Sequence, residues 1–475
     1  MTSLKFGTSG LRGLVEDLVG PASAAYTKAF LAYLEGSPSA AARTVLIGRD
    51  LRSSSSRIAG DCGAAARAVG WTVIDCGALP TPALALESLG KRAPAIMVTG
   101  SHIPDDRNGL KFYTADGEIT KADEEGILGA LGEIGADGSA DAQPLPATGS
   151  EVIDRYIERY RAAFGSAYLQ GLAIGVYQHS TVARDVLVQV VEALGAKAVP
   201  FARSDLFIPV DTEAHRPEDI AILAEFAAGT SVDAIISADG DADRPLVADA
   251  AGRVLRGDTL GLITALALGV SAIVTPVTSA SRIEAAAAHA SVRRTRVGSP
   301  FVLAGMEEAA KGGASGVLGF EANGGVLLGT PVLIEGRVLP ALPTRDAILP
   351  IVAVLGEVRS KALPLADIVS SLRLGFAAAD RLKAVPSEIG ARLAQRLLAD
   401  PAYAADFFAD VGTIAEVDRL DGARFVFENG AMVHYRPSGN APELRCYVEA
   451  DSEAAAADLL KLGLGKAADF VRSES

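Results

Sequence analysis

The chain has 475 residues, 49% of them hydrophobic, and 44 basic against 58 acidic residues give it a net charge of −14. At about 150 residues per domain, this length predicts two to four domains. No basic run accompanies the acidic balance, which excludes the footprint of a nucleic-acid-binding protein. The three cysteines show no CxxC spacing, so they predict neither a disulfide framework nor a zinc site and fit a reducing cytosol.

Neither a targeting segment nor a membrane span is predicted. The N-terminus has no apolar signal core. Residues 260–277 are apolar, but glycine, threonine, serine and proline interrupt them, and a span needs about 20 apolar residues. We therefore expect a helix followed by a buried strand there, and a cytoplasmic protein.

The first third of the chain alternates buried strands with helices. The pattern predicts strands at 44–48, 71–75 and 94–98, a helix at 53–69 and another from Pro80. Such alternation is typical of an α/β layer. Ser101 comes just after the third strand, at the end of a sheet strand where open α/β sheets place their ligands.

The same alternation recurs twice. In the second round, strands at 172–177, 197–201 and 234–237 flank a helix at 181–194. In the third, helices from Asp258 and at 281–290 accompany strands at 272–275, 293–297 and 316–320. We therefore predict three similar α/β domains with chemistry at the carboxyl ends of strands.

The composition changes at two further places. Residues 134–150 are rich in Gly, Ala, Asp and Pro and predict a linker. From about residue 366 a hairpin at 424–435 with an Asn429-Gly430 turn, a strand at 444–450 and a closing helix at 452–471 indicate a small α+β domain. The predicted domains are 1–145, 146–253, 254–365 and 366–475.

An acidic turn follows the strand at 234–237. Asp239, Asp241 and Asp243 alternate with small residues, and three carboxylates after a buried strand would repel one another without a cation. Oxygen ligands favour Mg²⁺. Arg244 stays charged and offers a planar fork of donors that can hold a phosphate beside the metal.

Ser101 is the candidate nucleophile. It lies between Gly100 and a His-Ile-Pro turn, where its hydroxyl is free to react. A serine hydroxyl needs an adjacent base or metal to attack, and His102 and Lys111 are the local candidates. A nucleophilic oxygen, a metal cluster and an arginine are the parts that phosphoryl transfer requires.

Three glycine-containing loops are candidate ligand-binding segments. Arg436, Ser438, Gly439 and Asn440 combine a cation, polar side chains and flexible amides, as a phosphate nest does. Arg12 supplies charge on the glycine-rich run 6–13. The loop at 319–325 carries Glu321 and Asn323, which suit sugar hydroxyls. The chain has neither a nucleotide-binding glycine motif after a strand nor a G-x-S-x-G elbow.

Together these motifs resemble the α-D-phosphohexomutase superfamily over almost the whole chain. The runs are Phe-Gly-Thr-Ser-Gly-Leu-Arg-Gly at 6–13, Gly-Arg-Asp-x-Arg-x-Ser at 48–54, Pro-Thr-Pro-Ala-Leu at 80–84, and the loops at 99–111, 239–244, 319–325 and 436–440. The resemblance implies three similar mixed α/β domains plus a C-terminal α+β domain around a central cleft.

The resemblance also implies the chemistry. Ser101 would carry a phosphate, bind Mg²⁺ with the three aspartates, and exchange phosphate with a hexose phosphate through a bisphosphorylated sugar, which also serves as activator. Lys111, with His102, would be the general acid/base. Arg12 and Arg244 would stabilise the transferring group. The loop at 436–440 would hold the phosphate that is not reacting.

Several residues depart from the usual motifs. Ile103 stands where Asn is common, the sugar loop reads Glu-Ala-Asn-Gly-Gly rather than Glu-x-Ser-Gly-His, and Asn440-Ala441 replaces Thr-Glu. These changes spare the phosphoryl-transfer parts and leave the sugar open. We expect a cytoplasmic phosphomannomutase, monomeric or homodimeric. The alternatives are phosphoglucomutase, a glucosamine- or N-acetylglucosamine-phosphate mutase, a metal-dependent sugar phosphatase, and a non-catalytic phosphosugar-binding protein.

Overall fold

The computed structural model describes residues 3–7, 10–134, 150–438 and 442–474. The linker predicted at 134–150 therefore lies almost wholly outside the described residues. Contacts divide the chain into two compact units. One comprises Met1–Ile273 and Met306–Val369, and the other Val274–Gly305 and Ser370–Ser475.

A seven-stranded mixed sheet organises the N-terminal part of the first unit. Its central strands are buried because apolar residues occupy both faces, and Phe30, Trp71, Ile96 and Phe112 belong to one hydrophobic cluster. The order is β1-β2-β6-β5-β3-β4, with β7 beside β6. The elements are β1 Lys5–Gly7, β2 Gly10–Leu14, α1 Val15–Leu18, α2 Pro21–Leu34, β3 Thr44–Arg49, α3 Ser55–Ala68, β4 Thr72–Ala78, α4 Thr81–Lys91, β5 Ala95–Val98, β6 Arg107–Thr114, β7 Gly117–Glu118 and α5 Lys121–Ile134.

A four-stranded sheet follows in the same unit, in the order β11-β10-β8-β9. Every residue of its strand β10 is buried, and Pro217 in the first turn of α8 suits a helix start. The elements are α6 Ser150–Phe164, β8 Ala173–Tyr177, α7 Arg184–Ala193, β9 Lys197–Phe201, α8 Pro217–Gly229, β10 Ala234–Ala238 and β11 Pro245–Asp249.

The third stretch contains more strands than the sequence indicated. After β14 the chain forms short antiparallel strands, β15 with β18 and β16 with β17. The elements are α9 Gly257–Ala267, β12 Ala272–Pro276, α10 Ile283–Ala286, β13 Ser291–Thr295, α11 Ser299–Lys311, β14 Val317–Phe320, β15 Val326–Leu328, β16 Val332–Ile334, β17 Arg337–Leu339, β18 Leu342–Asp346, α12 Ile348–Lys361 and α13 Leu365–Ser371.

The C-terminal part of the second unit is an antiparallel five-stranded sheet in the order β19-β23-β22-β21-β20, packed with helices. The predicted hairpin is present as β21 and β22, and Gly430 takes the left-handed φ of 82° in its turn. The elements are β19 Phe376–Lys383, α14 Ser387–Ala399, α15 Pro401–Phe407, β20 Ile414–Asp418, β21 Ala423–Phe427, β22 Met432–Pro437, β23 Glu443–Ala450 and α16 Glu453–Glu474.

Two predicted elements in the second unit are wrong in extent. The helix expected at 281–290 is only Ile283–Ala286, and the strand expected at 293–297 is Ser291–Thr295. Arg294 donates to the Ser279 and Ala280 carbonyls, and the Val297 amide donates to the Asp421 carboxylate rather than to a strand. Tertiary contacts thus override local propensity.

The apolar run at 260–277 is divided between α9 and β12, as expected. Among the described residues, no helix combines the length and the apolar composition needed to cross a bilayer.

Candidate active site

Three loops of the first unit occupy equivalent places in their sheets. Each follows a fully buried strand, β5, β10 or β14, and leads into an antiparallel neighbour, β6, β11 or β15. The loops carry Ser101, the three aspartates, and Glu321 with Asn323 respectively. The internal repetition of the fold therefore explains why three different chemical groups are presented in the same way.

The acidic loop forms a compact carboxylate cluster. Asp239, Asp241 and Asp243 are buried, and one oxygen of each lies within 4.8 Å of the others. The turn is tight, since Ala242 has a φ of 59° and its amide donates to the Asp239 carbonyl. The Asp243 and Arg244 amides donate to Asp239 Oδ1 at 3.2 Å each, which orients that carboxylate toward the loop.

Ser101 meets this cluster directly. Its Oγ donates to Asp239 Oδ2 at 2.5 Å and lies 3.3 Å from His102 Nδ1. The serine is fully buried and has a φ of 56°, an uncommon conformation for a residue with a side chain. At Gly240 a Cβ atom would lie 2.6 Å from the Ser101 carbonyl oxygen, so only glycine permits this approach of the two loops.

A buried ion pair holds the backbone of the Ser101 loop. Arg52 donates to the carbonyls of Ser101 at 2.9 Å, Ile103 at 2.5 Å and Pro104 at 2.7 Å. Its partner Asp50 accepts from Arg52 Nε and from Thr99 Oγ1. The Gly-Arg-Asp-x-Arg run singled out in the sequence thus supports the loop that carries the serine.

Lys111 and Thr81 bind the outer oxygens of the cluster. Lys111 Nζ donates to Asp241 Oδ2 and to Asp243 Oδ2, each at 2.6 Å. Thr81 Oγ1 donates to the same Asp241 oxygen at 2.6 Å. Burial alone would lower the pKa of Lys111, but the charges of Asp241 and Asp243 raise it, so this amine is an ammonium at neutral pH.

The remaining oxygens fit a divalent cation. Within the described residues, Asp241 Oδ1 and Asp243 Oδ1 are buried and have no hydrogen-bond partner. Burial, and then the charges of Asp241 and Asp243, raise the pKa of Asp239 well above its ordinary value. Buried carboxylate oxygens that accept no hydrogen bond are the kind of ligand that Mg²⁺ accepts.

Positive groups also interact with one another and with His102 in the site. Burial, followed by the charges of Arg244 and Arg345, lowers the pKa of Arg12 to about 10. Burial and then Arg244 and Arg12 lower the pKa of His102 to about 2, so its ring is neutral at pH 7. Arg244 Nε has no hydrogen-bond partner among the described residues and lies 3.6 Å from Asp243 Oδ1. These arginines form a pocket of positive potential suited to a phosphoryl group.

The sugar-loop residues are joined to the cluster by an arginine that the sequence analysis missed. Arg345, in β18, donates to Asp243 Oδ2 at 2.6 Å and to Glu321 Oε2 at 3.2 Å. Asn323 Oδ1 accepts from the Gly325 amide and its carbonyl accepts from Thr212 Oγ1, which fixes the loop. The sequence offered only a weak signal for Arg345, a charged pair at the end of a short strand.

The fourth predicted loop belongs to the second unit. Arg436 Nε donates to Asp421 Oδ2 at 2.9 Å, and the buried Ser438 donates its amide to the Glu443 carbonyl. Gly439 and Asn440 lie outside the described residues. The same Asp421 oxygen also accepts a hydrogen bond from the Val297 amide, which fixes the carboxylate. The fixed carboxylate in turn orients the Arg436 side chain within this unit.

Comparison with known families places this multidomain α/β architecture in one class of enzyme. Phosphoglucomutase/phosphomannomutase alpha/beta/alpha domains I, II and III match residues 3–136, 154–252 and 256–374, and the C-terminal domain matches 380–461. The fold and these matches define a mutase, an enzyme that transfers a phosphoryl group.

The chain belongs to the phosphoglucomutase/phosphomannomutase family. It is 50% identical over 466 residues to a phosphomannomutase of Sinorhizobium fredii, covering 97% of this chain and 98% of the relative. A phosphomannomutase of Salmonella muenchen is 41% identical, with 97% and 95% covered. A phosphoglucomutase/phosphomannomutase family protein of Burkholderia thailandensis shares the fold at a TM-score of 0.77, with 21% identity and 98% and 97% covered.

Proposed function

We propose that the protein is a phosphomannomutase, which interconverts mannose 6-phosphate and mannose 1-phosphate through a phosphoserine at Ser101 and a bisphosphorylated sugar. One observation carries the mechanism: the Ser101 hydroxyl donates to Asp239 at the edge of a buried cluster of three carboxylates. The sugar is proposed from the 50% identity to a phosphomannomutase over nearly the whole chain.

Asp239, Asp241 and Asp243, with the phosphate oxygen on Ser101, would hold Mg²⁺. Bound there, the ion neutralises charge on the phosphoryl group. Lys111 and Arg345 already donate to the Oδ2 atoms, so the Oδ1 atoms of Asp241 and Asp243, which accept no hydrogen bond from the described residues, would bind the metal; Arg244 Nε lies 3.6 Å from the second of them.

The neighbouring side chains supply protons and positive charge. His102 Nδ1 lies 3.3 Å from Ser101 Oγ, and we assign it, together with Lys111, to general acid/base catalysis. Lys111 carries a proton at neutral pH and is the candidate acid. Arg12 and Arg244 would bind the phosphoryl oxygens. Glu321 and Asn323 would bind sugar hydroxyls.

The distal phosphate is assigned to Arg436, Ser438, Gly439 and Asn440. A site that binds the phosphate itself, whether it is attached to C1 or to C6 of the sugar, allows the bisphosphorylated sugar to react in either orientation. We also propose the domain boundaries 1–145, 146–253, 254–365 and 366–475, a sugar bisphosphate as activator, and a cytoplasmic protein that is monomeric or homodimeric.

A side-by-side turnover assay tests the proposal. The 1-phosphates of mannose, glucose, glucosamine and N-acetylglucosamine are each supplied with Mg²⁺ and a sugar bisphosphate, and 6-phosphate product and inorganic phosphate are both measured. We expect the highest kcat/KM with mannose 1-phosphate and no phosphate release. A clear preference for another sugar would refute the substrate assignment, and release of inorganic phosphate would indicate a phosphatase.

The control is Ser101→Ala. This change removes the phosphate acceptor but keeps the buried carboxylates and arginines, so turnover should fall by about 10³-fold or more while sugar phosphate still binds. Intact mass should show one phosphate on the wild-type protein and none on the variant. Full turnover by Ser101→Ala would exclude the phosphoserine mechanism.

A further inference from the structure

Arg345 connects two loops of the site. Its side chain is buried, and Nε and NH2 donate to Asp243 Oδ2 at 3.0 and 2.6 Å. NH1 donates to Glu321 Oε2 at 3.2 Å. One guanidinium therefore binds a carboxylate of the acidic cluster and the carboxylate of the sugar loop at the same time.

The contact with Asp243 leaves the other oxygen of that carboxylate for a metal. Oδ2 accepts from Arg345 and Lys111, whereas Oδ1 is buried without a hydrogen-bond partner among the described residues. Arg345 thus orients Asp243 so that Oδ1 is the oxygen left for a metal.

The surroundings hold the stem and the backbone of Arg345, whereas its guanidinium is bound by the two carboxylates. A Cβ atom on Gly325 would lie 2.5 Å from Arg345 Cδ, so the sugar loop passes against the arginine stem. The next residue, Asp346, accepts the Tyr156 hydroxyl at 2.6 Å, the Tyr160 hydroxyl and the Ile348 amide at 2.9 Å. These bonds anchor the backbone from which Arg345 projects.

We propose that Arg345 is a positioning residue that couples metal binding at Asp243 to sugar binding at Glu321. The inference rests on the proposed function for the roles of these two carboxylates. A ligand that orders either carboxylate also orders the shared guanidinium, so the second ligand binds to a site that is already fixed. A lysine at this position cannot reproduce the arrangement, because one nitrogen would have to replace Nε and NH2 at Asp243 and NH1 at Glu321 at the same time.

The experiment measures this coupling in the dephosphorylated enzyme, which cannot turn over. Mn²⁺ serves as the metal probe, and its Kd is determined with and without saturating mannose 1-phosphate or glucose 1-phosphate, corrected for chelation by the sugar phosphate. We expect the sugar phosphate to lower the Mn²⁺ Kd of the wild type by about fivefold or more.

Arg345→Lys should reduce this effect to less than about twofold. Gly325→Ala should also reduce the effect of the sugar phosphate on the Mn²⁺ Kd. This change lies in the sugar loop, and its added methyl group displaces the Arg345 stem. Arg253→Lys is the matched control: Arg253 pairs with Asp249 at 2.8 Å, but its side chain is 73% exposed, away from the carboxylate cluster. It should retain the full wild-type effect.

The outcomes separate the inference from the proposed function. If Arg345→Lys folds, binds sugar phosphate and keeps the fivefold effect, the coupling role is wrong whatever the enzyme's substrate. A wild type without coupling also overturns it. Failure of the wild type to bind either sugar phosphate overturns both proposals. Coupling without turnover of mannose 1-phosphate contradicts only the substrate assignment.

Discussion

Arg52 offers a test of how the Ser101 loop is held. Its guanidinium is fully buried and donates four hydrogen bonds to backbone carbonyls, of Ser101 and Ile103 through NH2 and of Pro104 and Arg107 through NH1. Arg52→Lys keeps the positive charge opposite Asp50. A single ammonium at the end of a flexible stem cannot reach both pairs of carbonyls, so about two of the bonds are lost.

The expected magnitude follows from those bonds. A hydrogen bond to a charged group contributes about 1.5–3 kcal/mol, so losing two weakens the loop by about 3–6 kcal/mol. The left-handed backbone of Ser101, at a φ of 56°, adds about 1–2 kcal/mol of strain that the loop can then release. Even 3 kcal/mol reduces the population of the productive loop by about 10²-fold.

The assay separates kcat from KM for mannose 1-phosphate and measures Ser101 phosphorylation by intact mass. We expect kcat to fall by about 10²-fold with little change in KM, because Arg52 contacts no proposed sugar ligand. Arg57→Lys is the control, since Arg57 pairs with Asp61 at 3.2 Å in the same domain but is 64% exposed. A normal kcat and normal phosphorylation in Arg52→Lys would refute the reasoning.

Three further predictions concern stability. Ser101→Gly should unfold at higher urea than Ser101→Ala, by about 1 kcal/mol, because glycine accepts the left-handed φ; equal midpoints would contradict the strain. Burial lowers the pKa of His434 to about 4, so the unfolded chain binds more protons below pH 6.5, and about 3 kcal/mol should be lost between pH 6.5 and 4. His434→Gln should flatten that dependence in pH-resolved urea unfolding, and an unchanged slope would contradict it. Mg²⁺ at about 100 times its Kd should stabilise the wild type by about 2.7 kcal/mol in thermal unfolding, and Asp241→Asn should lose most of this gain; equal gains would contradict the metal assignment.

The family resemblance implied that Ser101 and the aspartates meet, and the local sequence placed each of them at the end of a strand. Each group follows a short apolar strand, and such strands adopt the same place in successive α/β layers. Once the α/β sheets are recognised, the side chains that follow the carboxyl ends of their strands are the first candidates for a shared site. Glu321 and Asn323 were predicted instead from their glycine-containing loop and its resemblance to a sugar loop, and the structure places that loop after β14.

Arg345 and the short helix at Ile283–Ala286 could not be predicted in this way, because tertiary contacts decide them. Arg345 reaches Asp243 across 102 residues of sequence, and the charged pair that it forms with Asp346 at the end of a short strand is too weak a signal to place it in the site. The segment 281–290 is alanine-rich and favours a helix locally. Arg294, ten residues from Glu284, instead binds that carboxylate and the carbonyls before it.

Burial and the charges of neighbouring groups together shift the pKa values of Arg12 and Asp239 in the site. Four cationic and four anionic side chains are concentrated there: Arg12, Lys111, Arg244, Arg345, Asp239, Asp241, Asp243 and Glu321. Lys111 and Arg345 neutralise the outer carboxylate oxygens, which leaves positive charge at Arg12 and negative charge at Asp239. After burial, like charges lower the pKa of the first and raise that of the second. A cation alone would reduce only the repulsion among the aspartates, and a phosphoryl anion alone would reduce only the repulsion among the arginines. Binding of both would reduce both repulsions. We therefore expect phosphate on Ser101 and metal at the aspartates to stabilise each other.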